Sequence, residues 1–412
     1  MKKFNKILSI LAVLAIAISS LSFAQTIEFY NFYGAEFEPT VDKINEMFMA
    51  EYPDITVVAE TADTGTFTQV LNTRLAANDA PDVFLVFPGT KFHPQADAGY
   101  LMTFDDAAWV ERVMPGAKSV STYNGHQYAL PTDTNVISVL YNKDMFADLG
   151  LEVPTTWDEF KAVGEALKAA GIAPLSVGVQ SGWVAQLIPY AMAPTAIYKN
   201  NIDFDTQMYG LENSFVDSPW KKMMEDYVWL KDNGFMQEFP LSTDWNASTD
   251  IMAANEAAML VQGNWALGVL QDKAPDTNWG LFPFPYSDDG VNWVATGVGG
   301  AISGSATTEH PEAVKKYIEF WSRPEIMDLY LTNKKALPVL TGLSPDIAPE
   351  LVEFLPYLEA AGTYNFLDQN WPAGVQGVMI ESVQGVLAGN LTIEQMLKDM
   401  DAAWAEGMLT AE

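Results

Sequence analysis

The chain has 412 residues, with 53 acidic against 22 basic side chains, three His and no Cys, for a formal charge of −31. The acid excess argues against a binder of nucleic-acid phosphates, which needs a basic face. The lack of Cys excludes disulfides, thiolate metal sites, thiol nucleophiles and lipid attachment through cysteine. Only 18% of residues are charged and 49% are hydrophobic, so the chain is a folded protein and not an acidic disordered segment.

The first 24 residues read as an export signal. Lys2, Lys3 and Lys6 form a positive start, Ile7 to Ile18 is apolar apart from Ser9, and Ser22-Phe23-Ala24 precedes a cut at Gln25. The apolar run is shorter than the roughly 20 residues a spanning helix needs. Removal leaves 388 residues with 19 basic and 53 acidic side chains, a charge of −34. The expectation is a periplasmic protein with no lipid anchor, working as a monomer.

Beyond the signal, β-type runs alternate with amphipathic stretches. Thr26 to Phe32 is β-rich, and Pro39 to Glu51 carries Val41, Ile44 and Phe48 near helical spacing. Ile55 to Val58 is a second β run, and Phe67 to Ala77 is a helix with Val70, Leu71 and Leu75 on one side. Val83 to Phe87 is apolar on both faces, as buried parallel strands are. This alternation predicts an α/β fold with a mainly parallel sheet. Thr156 and Glu159 form a capping box, and Gly171 stops that helix. Ile172 to Val179 is strand-like, His310-Pro311-Glu312 and Pro324-Glu325 open helices, and Thr392 to Trp404 is a last amphipathic helix. Breaks near Pro131, at Gly297 to Gly300 and at Leu337-Pro338 are three places for the chain to change lobes.

The motifs of catalysis are missing. There is no Gly-x-Ser-x-Gly, His-Glu-x-x-His or P-loop, and Ile302 stands where a dinucleotide fingerprint needs its third Gly. His93, His126 and His310 are far apart and read as exposed turn or cap residues, not ligands; no metal or cofactor is expected. Two of the 53 acids could still pair as in a glycosidase, so an exported glycosidase stays open.

Several of the twelve Trp lie beside amides, Gly or Pro. Sugar rings have apolar C–H faces and a rim of hydroxyls, which suits aromatic plates next to planar polar groups. Trp183 (with Gln186), Trp265 (after Gly263-Asn264), Trp245 (between Asp244 and Asn246) and Trp371 (after Gln369-Asn370) have that setting. Trp157, Trp229, Trp321 and Trp404 sit inside helical patterns and read as core.

At these residues the chain resembles the ABC-transporter extracellular solute-binding proteins of the family 1 type, the group of maltose- and other sugar-binding proteins. The matching stretches include Ala76 to Val83, Tyr123 to Pro131, Leu140 to Phe146, Pro154 to Phe160, Ala257 to Trp265, Gly299 to Ile302, His310 to Val314 and Leu337-Pro338. Each is weak alone; their joint order carries the resemblance. It implies a two-lobed α/β periplasmic-binding-protein fold of type II topology, with two to three hinge crossovers and a ligand cleft between the lobes. The implied division is a signal at 1–24, a first lobe from 25–134 and 301–338, and a second from 135–300 and 339–412.

Carried over by motif, Trp265 and Trp183 are aromatic plates, Gln186 lies one helical turn on, and Gly299 and Gly300 let backbone approach the ligand. Glu36, Thr66 and Thr90 follow the first lobe's strands, Asp133 and Asn135 lie at the first crossover, and Asn370 and Trp371 line the second lobe. The resemblance implies a ligand-binding component of an ABC importer, not an enzyme. It would close on a mono- or oligosaccharide and deliver it to an inner-membrane permease. A polyamine remains an alternative ligand because of the acid excess. The chain has no Tyr-Tyr pair for iron, and its three Arg are poorly placed for a phosphate ester.

Overall fold

The computed structural model describes residues 25–34 and 37–409. The export signal and Glu36 lie outside the described residues. In chain order the strands are β1 (Gln25–Asn31), β2 (Ile55–Thr61), β3 (Val83–Val86), β4 (Thr122–Tyr123), β5 (His126–Gln127), β6 (Leu130–Pro131) and β7 (Thr134–Asn142). They continue with β8 (Ala173–Ser176), β9 (Ala257–Gly263), β10 (Trp279–Phe282), β11 (Val294–Val298), β12 (Ala301–Gly304) and β13 (Thr363–Asn365).

Two sheets result. The first has the order β2-β1-β3-β12-β6; the second has β13-β11-β7-β9-β8, with β10 also on β7. Both are mixed, which corrects the expectation of a mainly parallel sheet. β1, β2 and β3 run parallel, but β12 is antiparallel to β3 and β6, and β7 is antiparallel to β9, β10 and β11. The reason is the repeated crossing between sheets. β7 carries the chain into the second sheet, and β11 brings it back toward the first, so they must oppose each other.

Each sheet has its own core. Val83 to Val86 are all buried, and the helix Pro311–Trp321 covers the first sheet with Val314, Tyr317, Ile318 and Trp321. Along β7 the period of two divides the burial: Ile137, Val139 and Tyr141 enter one core, Val136 and Leu140 the core behind. The helices Glu38–Glu51, Phe67–Ala76 and Trp157–Ala169 form as the spacing predicts, the last with the Thr156–Glu159 capping box made in both directions. Val70 is exposed despite its place in the apolar pattern.

The chain passes between the lobes three times: at Thr132-Asp133, at Gly299-Gly300, and after the helix Pro324–Lys334. These crossings are tied together. Thr132 N–H donates to Gly300 O (3.0 Å), Gly299 N–H to Asp133 O (3.2 Å), and Thr134 and Leu337 exchange backbone bonds of 2.8 and 2.9 Å. Val339 and Leu340 still belong to the first lobe's core, whereas Ala348 and Leu351 belong to the second's. The third crossing therefore completes after Leu340, beyond the Leu337-Pro338 break.

Candidate functional site

Three tryptophans from separate segments meet in the second lobe. Trp183 lies in the short turn of helix Gly182–Gln186, and Trp245 and Trp265 each open a helix. Trp183 stands 5.5 Å from Trp245 and 6.4 Å from Trp265, centroid to centroid. All three are half-buried, and Trp265 packs against the cores of both lobes. The motif Gly263-Asn264-Trp265 is built around that ring. A Cβ on residue 263 would lie 2.1 Å from it, so only Gly fits. Asn264 accepts from Val136 N–H (2.7 Å) and donates to Asn135 Oδ1 (3.0 Å) and Lys335 O (2.6 Å), which fixes the segment to the hinge.

A polar chain runs from Gln186, on the same short helix as Trp183, to the first lobe. Gln376 donates to Gln186 Oε1 (2.6 Å) and lies 3.4 Å from Tyr190 Oη. Tyr190 donates to Asp368 (2.7 Å), and Asp368 pairs with Lys91 across the lobes (2.7 Å). Burial and the Asp368 charge hold the Tyr190 hydroxyl protonated, well above the usual phenol range. Lys91 Nζ also lies 4.7 Å over Phe87, which stacks on Phe32 at 4.4 Å. Next to Lys91, Thr90 donates to the carbonyl oxygen of Trp371, and Gly89 lies against Gln369. A Cβ at 89 would stand 2.3 Å from Gln369 O.

The structure sorts the expected site residues. Trp183, Trp245 and Trp265 are brought together; Gln186 follows Trp183 on the same short helix, and Thr90 bonds to Trp371 O away from the three rings. Trp371 is not a cleft plate: it is 1% exposed and packs against Phe215, Trp220 and Trp404, because the apolar faces of three segments converge on it. Asp133 and Asn135 are 0% exposed and belong to the hinge. Asp133 pairs with Lys334 (2.5 Å) and accepts from Gly299 N–H (3.2 Å). Gly299 is required by that packing, since its Cβ would lie 2.4 Å from Asn135 Nδ2. Gly300 is buried beside Phe32 and Thr132. Thr66 is exposed and donates within its own turn to Asp63 O. Asn370 faces a separate cavity between the lobes.

Sequence reasoning missed Phe32, Phe87, Lys91, Tyr190, Asp368 and Gln376. Phe32 and Phe87 were absorbed into the apolar strands they terminate. Asp368 stands beside the Gln369-Asn370-Trp371 motif, which was the available signal.

Asp205 borders the interlobe cavity, and burial pushes its carboxyl up to about 6 from 3.8. Below about 4 the group is protonated in folded and unfolded chains alike, and its contribution is intact. As pH rises toward and through 6, ionisation favours the unfolded chain and stability falls, by on the order of 3 kcal/mol in all. Thermal unfolding at pH 4 and pH 7 should show Asp205→Asn gaining on the parent as pH rises; parallel profiles would refute this.

A two-lobed α/β fold whose chain crosses between the lobes three times, with half-buried aromatic rings near the junction, is the architecture of a solute-binding protein. The chain belongs to the bacterial extracellular solute-binding protein family, whose sequence profile matches residues 33–328. It is 28% identical over 391 residues to the multiple sugar-binding protein of Streptococcus mutans, covering 91% of each chain. It is 26% identical over 313 residues to the maltotriose-binding protein of Pyrococcus abyssi, covering 74% of this chain and 64% of that one. Among solved structures, a chitin oligosaccharide binding protein superposes with a TM-score of 0.85 at 24% identity, covering 94% of this chain and 99% of that one. The protein is a binding protein, not an enzyme, and no helix among the described residues is long and apolar enough to cross a membrane.

Proposed function

We propose that the protein is the soluble receptor of an ABC importer, exported to the periplasm, which captures an oligosaccharide at the tryptophan cluster and hands it to a membrane permease. The observation that carries this reading is the meeting of Trp183, Trp245 and Trp265 from three segments, with the Gln186–Gln376 amide pair starting on the Trp183 helix. Apolar faces of pyranose rings stack on such plates, and side-chain amides reach the hydroxyl rim. The relatives are named for several sugars, for maltotriose and for chitin oligosaccharides, all assembled from rings of this kind.

Closure follows from contacts made by both lobes. A ligand that touches the tryptophans and the Phe32–Phe87 side favours the closed form by its differential affinity. A micromolar receptor needs about 8 kcal/mol, within reach of two stacked rings and a few hydrogen bonds in a preformed site.

The test is titration of the exported chain with a panel of mono- and oligosaccharides, read by calorimetry and tryptophan fluorescence. The reading expects a saturable signal for at least one oligosaccharide. A panel with no saturable response would end it, and a response to polyamines alone would replace it. Delivery is checked separately by uptake into vesicles containing the permease.

A further inference from the structure

We propose that the cavity beside Asp205, between the lobes, is a second binding site, built for a small ammonium-bearing cation and distinct from the tryptophan cluster. The cavity measures about 370 Å3, the liquid volume of roughly a dozen waters. The first lobe supplies Thr90, His93 and Ser119 to its wall; the second supplies Asp205, Tyr209 and Tyr364.

Asp205 is 6% exposed. Its two carboxylate oxygens accept from Tyr198 Oη (2.8 Å) and Tyr364 Oη (2.9 Å), and the Trp371 indole N–H also interacts with the carboxylate; all three donors are neutral. Among the described residues no Lys, Arg or His lies within ion-pair distance of it. The nearby candidates are committed elsewhere. Lys91 is paired with Asp368 at 2.7 Å. His93 is stacked on Tyr123 at 3.9 Å, and burial pushes its pKa down to about 4, so it is neutral.

Buried carboxylates are ordinarily paired with a cation, because an uncompensated charge is costly away from water. Here the carboxylate has neutral donors only and borders the cavity. The rest of the wall suits the missing charge: hydroxyls can accept N–H bonds, and the exposed Tyr209 ring can receive a cation; Tyr364 has one face covered by Tyr198. A single carboxylate is too few for a hard divalent metal, and its charge disfavours an anion. An ammonium group matches in charge, hydrogen bonding and size.

The experiment is thermal shift and calorimetry with ethanolamine, and with potassium chloride as a separate arm, at ionic strength fixed with sodium chloride. Ethanolamine should give a saturable shift in the parent chain. Asp205→Asn should weaken it at least ten-fold. Because that variant also alters the bonds to Tyr198 and Tyr364, Ser119→Lys provides a second arm: Ser119 is exposed on the opposite wall, and a lysine there places its own ammonium in the cavity and abolishes the response. Trp183→Ala should leave the amine response intact, which separates this site from the sugar reading. An equal potassium response assigns the site to inorganic monovalent cations of the same charge. No saturable shift with either, or an undiminished one in both Asp205→Asn and Ser119→Lys, overturns the proposal.

Discussion

Trp183→Ala is expected to weaken oligosaccharide binding by roughly 30-fold or more, with little change in thermal stability. Truncating a central aromatic anchor commonly costs 2 kcal/mol or more of binding, and 1.4 kcal/mol is a factor of ten. Trp183 is half-buried on a short helix and packs against the second lobe's core alone, so its loss disturbs one lobe and not the junction of two. Trp265→Ala should behave differently. Its ring packs against the cores of both lobes, so affinity and stability should fall together. Calorimetric titration beside thermal unfolding distinguishes the two. Unchanged affinity in both variants would remove the tryptophan cluster from the binding site.

The largest expected loss of stability comes from Lys334→Ala. Lys334 is 8% exposed and pairs at 2.5 Å with Asp133, which is 0% exposed. Its ammonium also lies 5.1 Å over Tyr33 and 5.2 Å over Tyr330. Removing one partner of a buried pair leaves the other charge uncompensated, at about 3–5 kcal/mol. At roughly 2 °C per kcal/mol for a large domain, the midpoint should fall on the order of 10 °C. The double variant Lys334→Met with Asp133→Leu removes both charges and should recover much of that loss. A single variant as stable as the parent would show that the pair is not holding the hinge.

What the sequence revealed follows from the range of the forces involved. Local signals were readable: the Thr156–Glu159 cap depends on residues three apart, and the helix Glu38–Glu51 buries Val41, Ile44 and Phe48 as its spacing requires. The Trp183, Trp245 and Trp265 cluster was legible because each ring stood out of its apolar pattern. Trp371 stood out in the same way yet is core, since its partners Phe215, Trp220 and Trp404 come from distant segments. The packing pressure that demands Gly at 299 was hidden for a similar reason: it comes from Asp133 and Asn135, over 160 positions away. Lys91 and Asp368 are 277 positions apart, and nothing local marks either as half of an interlobe pair.

The knot of Asp133, Gly299 and Lys334 bears on how the lobes travel. Two bodies joined by one flexible strand can swing, roll and twist independently. Three strands crossing side by side, bonded to one another by Thr132–Gly300, Gly299–Asp133 and Thr134–Leu337, must turn together. The rotation that remains is the one about the line of crossings. Under the proposed closure, the second lobe would return to the first in the same register each time, with Lys91 meeting Asp368 and not a neighbouring acid. The search over relative orientations, which two free bodies would repeat at each encounter, is settled once, when the chain folds.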